Sequence, residues 1–215
     1  MRVLWLLILR DIRIAFGRGG VMMPVIFFLI VGTLYPFGVG PDAALLAQTG
    51  GGVLWIAALL ASLLPIDRLI APDADAGVLD QIALRGVSDE LVGIAKIVSH
   101  WVSFGPPLMI AAVPASGLLG LTSETLMRLE LGLLIATPGL AALGVMVASL
   151  TAGLRGAGAL SGLLLLPLAV PMLIFGAGSL DPDTQGAFKF LAASSLLLVG
   201  VAPFAVGAGL RALRE

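Results

Sequence analysis

The sequence predicts an all-α fold, a polytopic membrane helical bundle with six spans, on three observations. Hydrophobic residues make up 59% of the 215 positions and charged residues 12%, where an ordinary soluble domain carries about 45–50% and about 25%. Uncharged apolar runs recur along the chain, each near the length that crosses a hydrocarbon core about 30 Å thick. The chain has 13 prolines and 28 glycines but no cysteine, which excludes a disulfide framework, thiol chemistry and a Cys-ligated metal. A formal net charge of −1 gives no basis for nucleic-acid binding, so the placement of the charges carries more information than their sum. The length suits several spans in one membrane domain, 1–215, without a separate soluble domain.

The first 18 residues, MRVLWLLILRDIRIAFGR, are not read as a signal peptide, because Arg10, Asp11 and Arg13 interrupt the apolar run and no small-residue cleavage site follows. On a helix, Arg2, Arg10, Asp11, Arg13 and Arg18 occupy about half the circumference, and Leu4, Trp5, Ile8, Ile12 and Phe16 fall mainly on the rest. That sidedness describes a helix lying in the membrane interface; a short basic lead-in to the first span is the simpler alternative.

Spans are expected at 21–40, 50–66, 97–121, 129–151, 157–178 and 189–210. The connections are GPDAALLAQ, the segment 67–96, TSETLMR, AGLRG and SLDPDTQG. With the N-terminus cytoplasmic, alternation leaves only Arg128 and Lys189 outside. Arg2, Arg10, Arg13, Arg18, Arg68, Arg85, Lys96, Arg155, Arg211 and Arg214 then lie inside, a positive-inside bias that places both termini in the cytoplasm. Prolines fall within four spans: Pro106, Pro107 and Pro114; Pro138; Pro167 and Pro171; and Pro203. Each removes a backbone donor and favours a kink. Gly158 and Gly162 have the GxxxG spacing that permits close helix packing, and ordinary packing accounts for these residues more simply than a gating hinge.

The segment from Asp67 to Lys96 carries Asp67, Asp73, Asp75, Asp80, Asp89 and Glu90. At roughly 3 kcal/mol for each carboxylate at mid-membrane, its burial in lipid would cost on the order of 15–20 kcal/mol. It therefore belongs in water or against protein, and the charge count places it in the cytoplasm. Asp75 is a candidate N-cap for a short helix with Val78, Leu79, Ile82 and Ala83 on one side and Asp80 and Gln81 on the other. Such a helix, about 13 Å long, is marginal alone in water, and its apolar side requires a partner. Ser88 is a second N-cap, with Asp89 and Glu90 in the first turn that follows.

The sequence has no GxxxxGK[ST], and its two lysines, Lys96 and Lys189, follow no Gly-rich loop. It cannot cradle nucleotide phosphates in the P-loop manner, so any ATP-driven step belongs to another chain. An N-terminal interface helix, six spans and the cytoplasmic stretch DADAGVLDQIALRGVSDELVGIAK resemble the permease subunit of an ABC-2 type exporter. In that family the short helix is a coupling helix seated in a groove of the ATPase dimer. The wording FFLIVGTLYPFGVGPD, GGVLWIAALLASLLPIDRL, KIVSHW with PPL after it, and LLLLPLAVPMLIFGAGS resembles the CcmB family, haem exporter proteins of the cytochrome c maturation system.

That resemblance runs nearly end to end and implies an inner-membrane ABC transporter complex. Its expected members are a CcmA-like ATPase, CcmC-like and CcmD-like haem-handling subunits, a CcmE-like haem chaperone and a second copy of the chain. ATP would be bound on the ATPase, and haem would be the cargo, either translocated or released with its chaperone. Candidate ATPase-coupling residues are Asp75, Gly77, Val78, Leu79, Asp80, Gln81 and Ile82. A departure from the family is Pro65, where the second span more often continues as helix. The alternatives are a non-transporting assembly scaffold of the maturation complex and an ABC-2 permease for another lipophilic substrate.

His100, the single histidine, and Trp101 are candidates for a substrate or coupling path, either with imidazole meeting haem iron beside a stacking ring or with a cross-helix bond. Glu124 and Arg128 are spaced to pair at i,i+4, whereas Glu130 is poorly placed to face Arg128. Trp5, Trp55 and Trp101 suit interface or packing roles, and Arg155 suits a cytoplasmic anchor. No catalytic constellation and no metal-ligand motif is present, so the chain is expected to be non-enzymatic.

Overall fold

A computed structural model describes residues 2–17, 19–154 and 157–214. Arg18 and Arg155, counted above among the basic anchors, lie outside the described residues, as do the surroundings of Gly158. Nine α-helices occur among the described residues: α1 (Arg2–Gly17), α2 (Met22–Val39), α3 (Ala43–Leu63), α4 (Ala71–Asp75), α5 (Val78–Leu84), α6 (Asp89–Leu118), α7 (Ser123–Thr151), α8 (Ala157–Gly178) and α9 (Ala187–Ala212). Six of them, α2, α3 and α6 to α9, are long and apolar enough to cross a membrane. The fold is an all-α polytopic helical bundle.

Local signals set most of the helix starts. The Asp42 carboxylate accepts from the amides of Ala44 and Leu45, so α3 begins at Ala43 and absorbs most of GPDAALLAQ, which the sequence reading treats as a connection. Just past that stretch, the Thr49 hydroxyl donates to the Leu45 carbonyl at 2.6 Å and lies 2.8 Å from the Tyr35 hydroxyl. Ser88 caps α6 by accepting from the Leu91 amide, and Thr122 caps α7 by accepting from the Thr125 amide. Because α6 starts at Asp89, the end of the acidic segment and the third span are one continuous rod. At Pro65, α3 has already ended and a 3-10 turn, Ile66–Arg68, redirects the chain.

Two expectations about proline and glycine change. Pro36 lies inside α2, so intrahelical prolines occur in five apolar helices instead of four. Gly162, half of the GxxxG pair, faces open space where a Cβ would go. Close packing is concentrated elsewhere. α7, the most enclosed helix, runs against α3, α6, α8 and α9. A Cβ on Gly139 would lie 2.7 Å from the Ser195 Cα of α9, and one on Gly209 would lie 2.8 Å from the Ser149 hydroxyl oxygen of α7. The fully buried Trp55 ring of α3 fits between Gly132 of α7 and Gly176 of α8, where a Cβ would come within 2.7 Å of it. Small residues thus let backbones and one large ring approach closely, the means by which helices associate where apolar burial from water gives no drive.

Candidate functional site: the acidic segment and its charged cleft

The segment 67–96 folds as a 3-10 turn, two short helices and the first turns of α6. Asp75 does not cap α5. It is the last residue of α4, and Gly77, at φ 66° and ψ 15°, occupies the junction. Pro72 near the start of α4 favours a helix there, and the left-handed backbone that ends it suits glycine. A side chain at position 77 would be strained there, so the angle between α4 and α5 depends on this residue.

α5 presents a different face from the one its composition suggests. Leu79 is 6% exposed and belongs to the chain's own core, with Ile82 packed partly against it. Val78 and Gly77 are half-buried, whereas Asp75, Asp80 and Gln81 are exposed. Leu84 is 88% exposed and shares the outer side of α5 with Asp80 and Gln81, followed by exposed Arg85. The apolar residues at i, i+1 and i+4 therefore satisfy the bundle itself. Leu84 is not among the residues the sequence points to, and its only signal there is that it is an apolar residue lying off that stripe.

Two ion-pair clusters hold the segment to the bundle. In the first, the Arg10 guanidinium of α1 engages both carboxylate oxygens of Asp73 in α4, one of them at 3.0 Å. Lys96 of α6, whose side chain is 10% exposed, pairs with Asp73 and with Asp11 of α1, the latter at 3.1 Å. Arg10 and Asp11 also pair, at 3.0 Å. The hydrogen bond to Asp73 raises the Arg10 pKa above its ordinary value against the opposing effect of burial, with the Asp73 and Asp11 charges adding to the rise. Arg10 and Asp11 consequently face protein, although the helical-wheel reading assigns them to the polar outer half of α1; exposed Arg2 and Arg13 keep that assignment. Opposite charges on two other elements compensate their burial.

The second cluster joins the start of α6 to the end of α9. Arg211 pairs with Glu90 at 2.7 Å, and Arg214 pairs with Asp89. Glu90 reaches this position because Gly207 of α9 leaves room for its carboxylate: a Cβ there would lie 2.8 Å from Glu90 Oε1. Asp89 and Glu90 thus bind a neighbouring helix in addition to sitting in the favourable first turn of α6.

Beside the first cluster lies a cleft of about 480 Å³ bounded by α1, the start of α2, residues 65–78 and α6. His100, 3% exposed, lines it. Its ring centroid lies 4.9 Å from that of Phe104, and its Nε2, which has no hydrogen-bond partner among the described residues, lies against Gly144 of α7. Trp101 does not join His100 in the cleft. Its Nε1 donates to the Thr137 hydroxyl of α7 at 3.1 Å, and its ring covers Gly105. Trp101→Phe is expected to lower thermal stability by about 1 kcal/mol through this lost bond, as a thermal melt of the detergent-purified chain would show. At the other end of the bundle, Arg128 and Glu124 form the anticipated i,i+4 pair at 3.2 Å.

The CcmB protein family model matches residues 2–213. The chain belongs to the CcmB family. It is 43% identical over 218 residues to heme exporter protein B of Bradyrhizobium diazoefficiens, covering 98% of each chain. The protein of the same name from Rhodobacter capsulatus is 42% identical over 95% of this chain and 97% of its own. The one from Escherichia coli K12 is 38% identical over 96% and 97%. With six span-length helices, this CcmB-family chain is a multi-pass membrane protein.

Proposed function

We propose that this CcmB-family chain is the membrane permease subunit of a haem-export ABC complex of cytochrome c maturation in the inner membrane, with both termini cytoplasmic. It has no nucleotide-binding loop of its own, and ATP hydrolysis belongs to a CcmA-like partner. Residues 71–85 dock on that ATPase, and Asp75, Asp80, Gln81 and Leu84 supply the contact. The observation that carries this reading is the combination of an 88% exposed Leu84 with a segment bound at both ends to membrane-crossing helices. A partner that grips α5 therefore moves α1 and α6 through Asp73 and Lys96, and α9 through Asp89 and Glu90.

Gly77, Val78, Leu79 and Ile82 shape and seat the docking element from within. CcmC-like and CcmD-like subunits, a CcmE-like chaperone and a second copy of the chain complete the complex, with haem as the cargo translocated or released. The proline-containing apolar helices carry the movement across the bilayer.

Leu84→Asp is expected to reduce recovery of the co-expressed ATPase by at least about tenfold, since an apolar anchor central to a contact is replaced by a charge. The amount of chain in the membrane should stay unchanged because Leu84 contributes nothing to the core. Co-purification in mild detergent followed by quantification of both proteins measures this, and wild-type recovery of the ATPase would overturn the docking assignment. Leu79→Asp is a different experiment, because it places a carboxylate in the chain's own core and is expected to lose the chain as well.

A further inference from the structure

Beyond its first turn α6 is mostly apolar, and most of its polar side chains gather on the face toward the cleft. Lys96, Ser99, His100 and Ser103 fall at i, i+3, i+4 and i+7 and all line the cleft, each less than one-tenth exposed. The two hydroxyls donate to the carbonyls of Lys96 and Ser99 and retain acceptor capacity toward the cleft. Polar side chains inside a membrane helix are costly unless they face protein or a water-filled cavity, and there they mark pathways. Ile14, Leu69 and Phe104 add apolar walls, and the volume suits a ligand of several hundred Å³ held by a few polar groups.

The charges leave an excess. Arg10 and Lys96 are balanced by Asp11 and Asp73. Arg68, exposed at the mouth of the cleft, forms no ion pair among the described residues. We propose that this cleft binds an amphipathic anion, with its carboxylate or phosphate on Arg68 and its apolar body between Ile14, Leu69 and Phe104. The inference deepens the haem-export reading by giving an anionic cargo an entry site next to the docking segment. A porphyrin dicarboxylate and an anionic phospholipid share the required chemistry. Because α4 forms part of the wall and Asp73 ties it to α1 and α6, a movement of the docking segment changes the width of the cleft.

The test uses the full chain in phosphatidylcholine nanodiscs, with the wild type, Arg68→Ala and Ile14→Trp compared. Haem binding is read from the Soret band, and phosphatidylglycerol retention from native mass spectrometry. Arg68→Ala removes the charge, and Ile14→Trp fills the cleft from a position 39% exposed, so the two variants fail to fold for different reasons if either does. Affinity for one of the probes is expected to fall about tenfold in each variant, the scale of one charge-assisted contact. A loss confined to haem identifies the porphyrin as occupant, and a loss confined to phosphatidylglycerol identifies a lipid. Unchanged binding of both probes in both variants overturns the site. ATPase recovery with Arg68→Ala should remain at the wild-type level; if the ATPase fails to accompany the wild-type chain, the haem-export reading falls while the binding result stands on its own.

Discussion

Asp73→Asn is expected to destabilise the end of the bundle that carries the acidic segment by about 3 kcal/mol, the lower end of the cost of breaking a buried ion pair by removing one partner. The carboxylate is 13% exposed and receives Arg10 from α1 and Lys96 from α6, so one neutral substitution leaves two cations sharing Asp11. Arg10 is 34% exposed and can turn to solvent, but Lys96 is 10% exposed and carries most of the penalty. The local consequence is detachment of α4 from α1 and α6. Limited proteolysis should then cut between Asp67 and Ser88 faster than in the wild type, while the apolar helices remain protected. Under the proposed docking, coupling should fail with it: an ATPase bound at Leu84 would no longer move α1, so ATPase recovery would be retained and haem-dependent output lost. Glu124→Gln serves as the control. It breaks a pair whose carboxylate is 62% exposed, and a pair of this kind contributes about 0.5 kcal/mol or less. Equal protease sensitivity of the two variants would rule out Asp73 as the link.

Gly139→Ala is expected to separate α7 from α9 at an overpacking cost of about 3 kcal/mol. The new methyl would lie 2.7 Å from the Ser195 Cα and 2.8 Å from its hydroxyl oxygen. A backbone atom cannot rotate away as a side chain can, so the helices themselves must move apart. That movement also strains the bond from the Gly139 amide to the Ser195 hydroxyl, 3.1 Å long and buried. Gly162→Ala is the matched comparison, because its Cβ would enter open space and replacing a helical glycine with alanine is favourable by up to about 1 kcal/mol. Thermal melts of the two purified variants should therefore move in opposite directions. A Gly139→Ala protein as stable as the wild type would show that the α7–α9 contact is looser than a 2.7 Å approach requires.

The contrast between these glycines shows what could be read before the fold was known. Spacing singled out Gly158 and Gly162 because GxxxG is a pattern along one helix, but whether a glycine is needed depends on what the facing helix brings to it. Gly139 has no such spacing to mark it. The same distinction separates Leu79 from Leu84. Periodicity correctly grouped Val78, Leu79 and Ile82 on one side of a short helix, yet it could not say whether that side faces the chain or a partner.

The sequence by itself determined the solvent, the helical class, the six apolar helices and the family, because hydropathy, caps such as Ser88 and ordered wording are properties of neighbouring residues. It also determined that the acidic segment cannot lie in lipid, since the cost of burying carboxylates is fixed by their chemistry. Only the tertiary structure decided where those carboxylates go. Asp73 meets Arg10 from 63 residues away and Lys96 from 23, while Glu90 meets Arg211 from 121. Electrostatic partners are chosen by proximity in space, and only the packing of the helices establishes that proximity.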